Sequence, residues 1–321
     1  MKKLLLKILL FLITLPITYL LVIALLIFTN LNNLFNVRLD KPGTGIGNTT
    51  RRMQEVAQIT GPVDFLFIGS SHAYRGFDTR IFDEAGYSSF NLGTTAQSPL
   101  NTYYLLQDHL PRLQPKYLVV ELYWEVLKDN GAEACIDLLS SVPVNKTMVE
   151  MTVSTQNVST FNTLIAAAFS RIWEPQKQVE PILNTTEQYI PGGFVSSTLT
   201  HQTSNLNKLK PKEAKLKPEQ LVYLEKIIQQ ARFHGATPLF VVAPVTNEYK
   251  TAVKNYSAFM KQLTNYLQQY DIALLDFNEG KYQLHLSSET DFYDYHHLTQ
   301  PGVRKFNLFL LEALRQEKLL N

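Results

Sequence analysis

Hydrophobic and polar positions along this chain are organised on three scales. The longest is a single unbroken run, Ile8 to Phe28, 21 residues without a charge, preceded by Met1-Lys2-Lys3 and Lys7. As a helix it would extend about 31 Å, matching a hydrocarbon core of about 30 Å. A cleaved leader has an apolar region of about 7–15 residues ending at a small-residue cleavage site. Thr29-Asn30-Leu31-Asn32 offers no such site, so the pattern predicts an uncleaved signal anchor that carries Pro16 as a tolerated kink. Lysines flank the run on its N-terminal side, and the first basic residue after it is Arg38. The positive-inside bias then puts the N-terminus in the cytoplasm and the rest of the chain outside, as a single-pass protein of the cell membrane.

The second scale begins at Val63, where short apolar runs alternate with segments of helical spacing. Strands are predicted at Asp64–Ile68, Ser89–Leu92, Tyr117–Leu122, Pro238–Ala243 and Ile272–Phe277. Helices are predicted near Asp78–Glu84, Leu100–Leu110, Pro218–His234, Tyr249–Tyr270 and Pro301–Glu317. Strands separated by helices imply βαβ crossovers, hence an α/β fold: a three-layer α/β/α sandwich with a mainly parallel central sheet. In such sheets reactive groups gather beyond the carboxyl ends of the strands.

On the third scale the alternation stops twice. Residues 30–62 are polar and turn-rich and read as a tether between the anchor (1–29) and the domain (63–320). Residues 126–216 contain a helix-prone run, Thr160–Ile172, and then Pro-rich polar sequence including Ile190-Pro191-Gly192-Gly193-Phe194. That is too long for a loop and reads as an insertion over one edge of the sheet, either a substrate-binding cap or a structural addition. Gly43-Thr44-Gly45-Ile46-Gly47 follows no strand and does not complete a dinucleotide-binding glycine loop. There is no internal repeat.

Composition narrows the function classes. A net charge of +2 gives no field for nucleic-acid binding, and Lys208 to Lys212, with Lys215 and Lys217, reads as a solvated linker. The lone Cys135 excludes an internal disulfide and a cysteine metal site. His109, His201, His234 and His285 lack metal-ligand spacing, so no metal and no cofactor are expected.

The candidate chemistry lies at two strand ends. Gly69-Ser70-Ser71-His72 follows the first strand and presents Ser71 on a tight turn. Near the far end, Asp294-Tyr295-His296-His297-Leu298 supplies a carboxylate and an imidazole three residues apart. A serine hydroxyl is a weak nucleophile that needs an adjacent base and a third group orienting that base. Asp294 and His297 have that spacing, with His296 as the alternative base. His72 either contacts substrate or fills the turn. Glu121, Tyr123 and Trp124, at the third strand's end, either line an acceptor site or cap the sheet.

These residues resemble the SGNH (GDSL-type) hydrolase superfamily over roughly Val63 to Glu317, the insertion excepted. The resemblance implies that Ser71 is the nucleophile and that Asp294 and His297 complete the triad. It also implies that the N–H groups of Gly93, in Asn91-Leu92-Gly93, and of Ser71 bind the oxyanion. Two departures stand out: Ser70 replaces the usual aspartate, and the third-block Gly-x-Asn is missing from Val119-Val120-Glu121-Leu122-Tyr123-Trp124. The hole then lacks its side-chain amide unless Asn91 or Asn101 reaches in. Together with the anchor, these departures look like the membrane-tethered branch that serves teichoic-acid D-alanylation and polysaccharide O-acetylation. Such proteins commonly work beside a polytopic membrane O-acyltransferase, with a carbohydrate or polyol polymer as acceptor. The expected activity is therefore O-acyl transfer, with hydrolysis of free esters and a non-catalytic assembly role as alternatives.

Overall fold

Phe65-Leu66-Phe67-Ile68 forms β1, and all four residues are buried, because this strand has sheet on both sides and helices on both faces. A computed structural model describes residues 1–29, 46–173, 186–200 and 209–320. Its central sheet joins β1 to β2 (Ser89–Asn91), β3 (Tyr117–Glu121), β6 (Thr237–Val242) and β7 (Leu274–Asp276) in the order β2-β1-β3-β6-β7, with every pairing parallel. The period-two alternation of strands divides the core. Leu66, Ile68, Leu118, Val120, Phe240 and Val242 enter one apolar cluster. Phe65, Phe67, Tyr117, Val119, Leu239 and Val241 enter the other.

Helices α2 (Thr49–Gln58), α5 (Pro99–Leu113), α9 (Pro218–Phe233), α10 (Asn247–Ala252) and α11 (Tyr256–Gln268) contribute to the first cluster. The second is closed by α3 (Ser71–Gly76), α4 (Thr79–Glu84) and α12 (Gln300–Gln316). In α12 the buried residues Val303, Phe306, Asn307, Leu310, Leu311 and Leu314 form one stripe, and Pro301 sits in its first turn. The three-layer α/β/α arrangement with a parallel sheet is therefore what the strand and helix pattern predicted. The N-terminal helix α1, Lys2–Phe28, is long and apolar enough to cross a membrane.

Three segments differ from the sequence reading. Part of the expected tether is packed into the domain: in α2, Met53 and Val56 join the core, and the fully buried Arg52 donates from Nε to the Gly193 carbonyl at 2.9 Å. The expected helix Tyr249–Tyr270 is broken between Ala252 and Tyr256. There Lys212 N–H donates to Ala252 O and Lys254 N–H to Lys212 O, both at 2.9 Å, and Asn255 brackets Ala214 through its N–H and C=O. The strand-like 212–214 segment thus takes backbone groups that a continuous helix would have used. Within the insertion, α6 (Ala132–Ser141), α7 (Lys146–Thr155) and α8 (Val158–Trp173) are followed by an antiparallel hairpin, β4 (Glu187–Ile190) and β5 (Phe194–Ser197). The hairpin docks beside β2, where Asn91 N–H donates to the Gly192 carbonyl at 2.8 Å.

Candidate active site

The turn after β1 is set by Gly69, whose φ of +148° lies outside the range of L side chains; a Cβ there would approach Glu121 Cβ to 2.7 Å. Ser70 then caps α3, its hydroxyl accepting from His72 N–H at 3.3 Å. Ser71, the first residue of α3, is only partly buried. Its Oγ lies 2.9 Å from His297 Nε2, and His297 Nδ1 lies 2.7 Å from Asp294 Oδ2. The other carboxylate oxygen, Asp294 Oδ1, accepts the backbone N–H groups of His296 and His297 at 2.8 and 2.7 Å. Burial pushes the Asp294 carboxyl upward, but its hydrogen bond to His297, the His297 and His296 rings and the backbone N–H outweigh it and hold the group below the usual carboxylate range. Burial lowers His297 from 6.5 more strongly than the hydrogen bond and charge of Asp294 raise it. A carboxylate on Nδ1 fixes the Nδ1–H tautomer, so a neutral Nε2 faces the Ser71 hydroxyl and accepts its proton.

The structure therefore brings together three of the expected site residues, Ser71, Asp294 and His297. His296, the alternative base, turns away: its Nδ1 meets His72 Nε2 at 3.2 Å. Burial, then the neighbouring His297, lowers it to about 3.

Other expected site residues serve the frame instead. His72 is buried, with Nδ1 3.3 Å from Ser70 Oγ and its ring against Tyr123, so it fills the turn. Asn91 donates from Nδ2 to Ala73 O at 2.8 Å and Phe77 O at 3.1 Å, and its Oδ1 accepts Gly93 N–H at 3.0 Å. The Gly93 N–H expected to bind an oxyanion is thus already engaged, and the Asn91 amide ties β2 to α3. Asn101 is likewise occupied, accepting from Ser98 and donating to Gly131 O at 2.9 Å. Neither asparagine replaces the missing third-block amide. Trp124 and Glu121 are interior. Lys212, expected in a solvated linker, instead reaches Tyr249 OH and Glu125, both at 2.6 Å. His201 and Gly43-Thr44-Gly45 lie outside the described residues.

Three features escaped the sequence reading. Glu121 Oε2 accepts both the Ser70 hydroxyl at 2.8 Å and the Ser70 N–H at 3.2 Å, so a carboxyl from β3 braces the nucleophile turn where Ser70 replaces an acid. A charged residue inside the buried run Tyr117–Leu122 was the available signal. Arg75, one turn after Ser71, donates to Tyr293 OH and to Glu187 on β4. The Tyr293 ring stacks on His297 at 5.6 Å and 13°. No linear pattern connects residues so far apart. Finally, ring nitrogens of His72, His296 and His297 gather within 4.8 Å of one another, a cluster that the scattered histidine positions did not suggest.

No protein-family model and no curated protein matches the chain. Solved structures do. A GDSL-like lipase from Bacteroides thetaiotaomicron aligns over 86% of this chain and 100% of its own, at 12% identity and a TM-score of 0.43. TesA aligns over 78% of this chain and 98% of its own, at 12% identity and a TM-score of 0.35.

Proposed function

We infer that this chain is a serine-dependent acyl-transferring enzyme held at a membrane. The hydrogen-bonded series Ser71 Oγ, His297 Nε2, His297 Nδ1 and Asp294 Oδ2, at 2.9 and 2.7 Å, carries the assignment. Ser71 Oγ gives its proton to His297 Nε2 and bonds to the carbonyl carbon of an ester or thioester, forming a tetrahedral oxyanion. Collapse expels the leaving alkoxide or thiolate, which takes the proton from His297 and leaves an ester on Ser71. An acceptor hydroxyl then loses its proton to His297 and attacks that ester; the new ester departs and Ser71 recovers the proton. Asp294 orients the ring throughout and stabilises the imidazolium. With Gly93 N–H engaged by Asn91, the Ser71 N–H in the first turn of α3 is the oxyanion donor assigned here, and such a donor is worth about 3 kcal/mol.

The acceptor in this reading is a hydroxyl of a cell-envelope polysaccharide or teichoic-acid-like polymer, and the acyl group arrives from a polytopic membrane O-acyltransferase. Support comes from the membrane-length α1 with its N-terminal lysines and from the absence of the third-block asparagine. Hydrolysis of free esters is the second reading, favoured by the partial exposure of Ser71, which admits water as acceptor.

The test is fluorophosphonate labelling and ester turnover by the full chain in detergent. Ser71→Ala should abolish labelling and reduce turnover by on the order of 10³-fold or more, because triad members act as a unit. Near-normal turnover in that variant would discard Ser71 as the nucleophile, whereas an unlabelled Ser71 and no turnover by the unaltered chain would favour an assembly role. Adding a polyol acceptor separates the two readings: transfer yields acylated polyol, whereas a hydrolase yields free acid regardless of the acceptor.

A further inference from the structure

Outside α1, the described residues include seven large hydrophobic side chains that are exposed, and four of them, Val149, Val153, Val158 and Phe161, lie on the α7–α8 hairpin. Val153 and Val158, 54% and 65% exposed, flank its turn. The 20 residues 151–170 contain no charge; Glu150 and Arg171 bound them. A solvated helical hairpin would carry charges on its outer face.

This hairpin also packs on the membrane-length helix. Tyr19 OH donates to Asn162 Oδ1, Ile23 and Ala166 are both fully buried in one cluster, and Ile27 and Ile165 pack against them. The pairing of residues 19 with 162 and 23 with 166 runs in the same direction along both helices. The N-terminal end of α8 and the α7–α8 turn therefore point back along α1 towards its N-terminus. Helix α1 has 27 residues, about 40 Å at 1.5 Å per residue, against a hydrocarbon core of about 30 Å. The six residues Lys2–Lys7 account for about 9 Å of that length, so the Tyr19–Ile27 stretch that α8 covers lies within the uncharged Ile8–Phe28 run.

We propose that the tip of the α7–α8 hairpin is a membrane-contact surface, with Val153, Val158 and Phe161 seated in the leaflet beside α1. This rests on α1 spanning the bilayer. A lipid surface is the occupant because the apolar tip continues the lipid-facing side of α1, whose residues Leu4 to Leu15 are largely exposed, and because it lacks the charges that a water-soluble partner would pair with. The domain then sits on the bilayer in a fixed orientation and does not hang from it by a strand of chain.

Depth-dependent quenching by brominated phospholipids tests this on the full chain in phosphatidylcholine–phosphatidylglycerol vesicles. An environment-sensitive fluorophore is attached, in a Cys135→Ser background, to Leu12→Cys within α1, to Val158→Cys at the hairpin tip, or to Phe233→Cys at the exposed end of α9. Labels at positions 12 and 158 should be quenched and blue-shifted, and the label at 233 should not. Quenching at 12 with a label at 158 as unquenched as that at 233 would overturn the proposal while leaving the span intact; the tip would then face water or a protein partner. An unquenched label at 12 would overturn the span itself, and the proposal with it.

Discussion

Beneath the nucleophile turn, Glu121 is a carboxyl group with one oxygen bonded to Ser70 and the other, Oε1, buried without a partner. Burial pushes its pKa from 4.5 up to about 7, against the lowering effect of the two Ser70 hydrogen bonds. The neutral form is therefore favoured in the fold. Its linkage has a definite sign: the contribution to stability is present in full below about 4.5 and is lost as pH rises through about 7, because the unfolded chain releases this proton first. The buried imidazoles act in the opposite sense. His72, His296 and His297 are all lowered, chiefly by burial, so stability is lost as pH falls below 6.5 and the unfolded chain takes up protons first. Glu121→Gln keeps an acceptor for Ser70 and removes only the ionisation. Thermal melts should show the variant close to wild type near pH 4.5 and more stable at pH 8, by roughly 3 kcal/mol for a displacement of about 2.5 pH units. An equal difference at both pH values would mean that Glu121 does not titrate in this range.

At the scale of elements, the site depends on how closely α3 approaches the end of β2. A Cβ on Gly93 would lie 2.8 Å from Tyr74 N and 2.9 Å from Ala73 Cβ, so the α3 backbone leaves no room for a side chain there. Gly93→Ala should cost about 1–3 kcal/mol in urea denaturation as an overpacking change. It should also slow fluorophosphonate labelling of Ser71, because relief requires α3 to move and Ser71 begins α3; unchanged labelling would separate this contact from the nucleophile's position. Elements of this kind differ in how far the sequence reveals them. The five central strands were readable because burial on both faces leaves continuous apolar runs such as Phe65–Ile68. Helix α3 has six residues, too few to show a period, and α2 lies in a stretch whose polar residues, including the buried Arg52, mask its apolar face. The hydrogen-bonded grouping of Ser71, His297 and Asp294 was legible because strand ends and local spacing fix its members. The roles of Asn91 and Gly93 were not, because a buried amide reads identically whether it faces a substrate or closes a helix onto a strand.

For the whole molecule, the question is whether the reactivity of Ser71 depends on α1. Helix α1 packs on α8, and α8 on α6 and α7, whereas Ser71, His297 and Asp294 are set by β1, α3 and the segment before α12. The α1–α8 contact itself is separate: Ile23 and Ala166 form their own cluster apart from those flanking the sheet, one of which α6 and α7 join through Leu138, Leu139, Met148 and Met151. Effects at distant sites without shared partners usually add. A fragment comprising residues 46–321 should therefore label with fluorophosphonate within about twofold of the full chain, because independent sites couple weakly. It should nevertheless be less stable. Removing Ile23 uncovers the α8 surface it buries, on the order of 2 kcal/mol for a branched aliphatic side chain. Asn162 also loses the Tyr19 hydroxyl, about 1 kcal/mol for a typical hydrogen bond. Labelling kinetics and a urea melt of the fragment and the full chain in the same detergent measure both quantities. A loss of labelling beyond about tenfold, where weak coupling is expected, would show that α8 transmits the position of α1 to Ser71 and make α1 part of the frame that positions it.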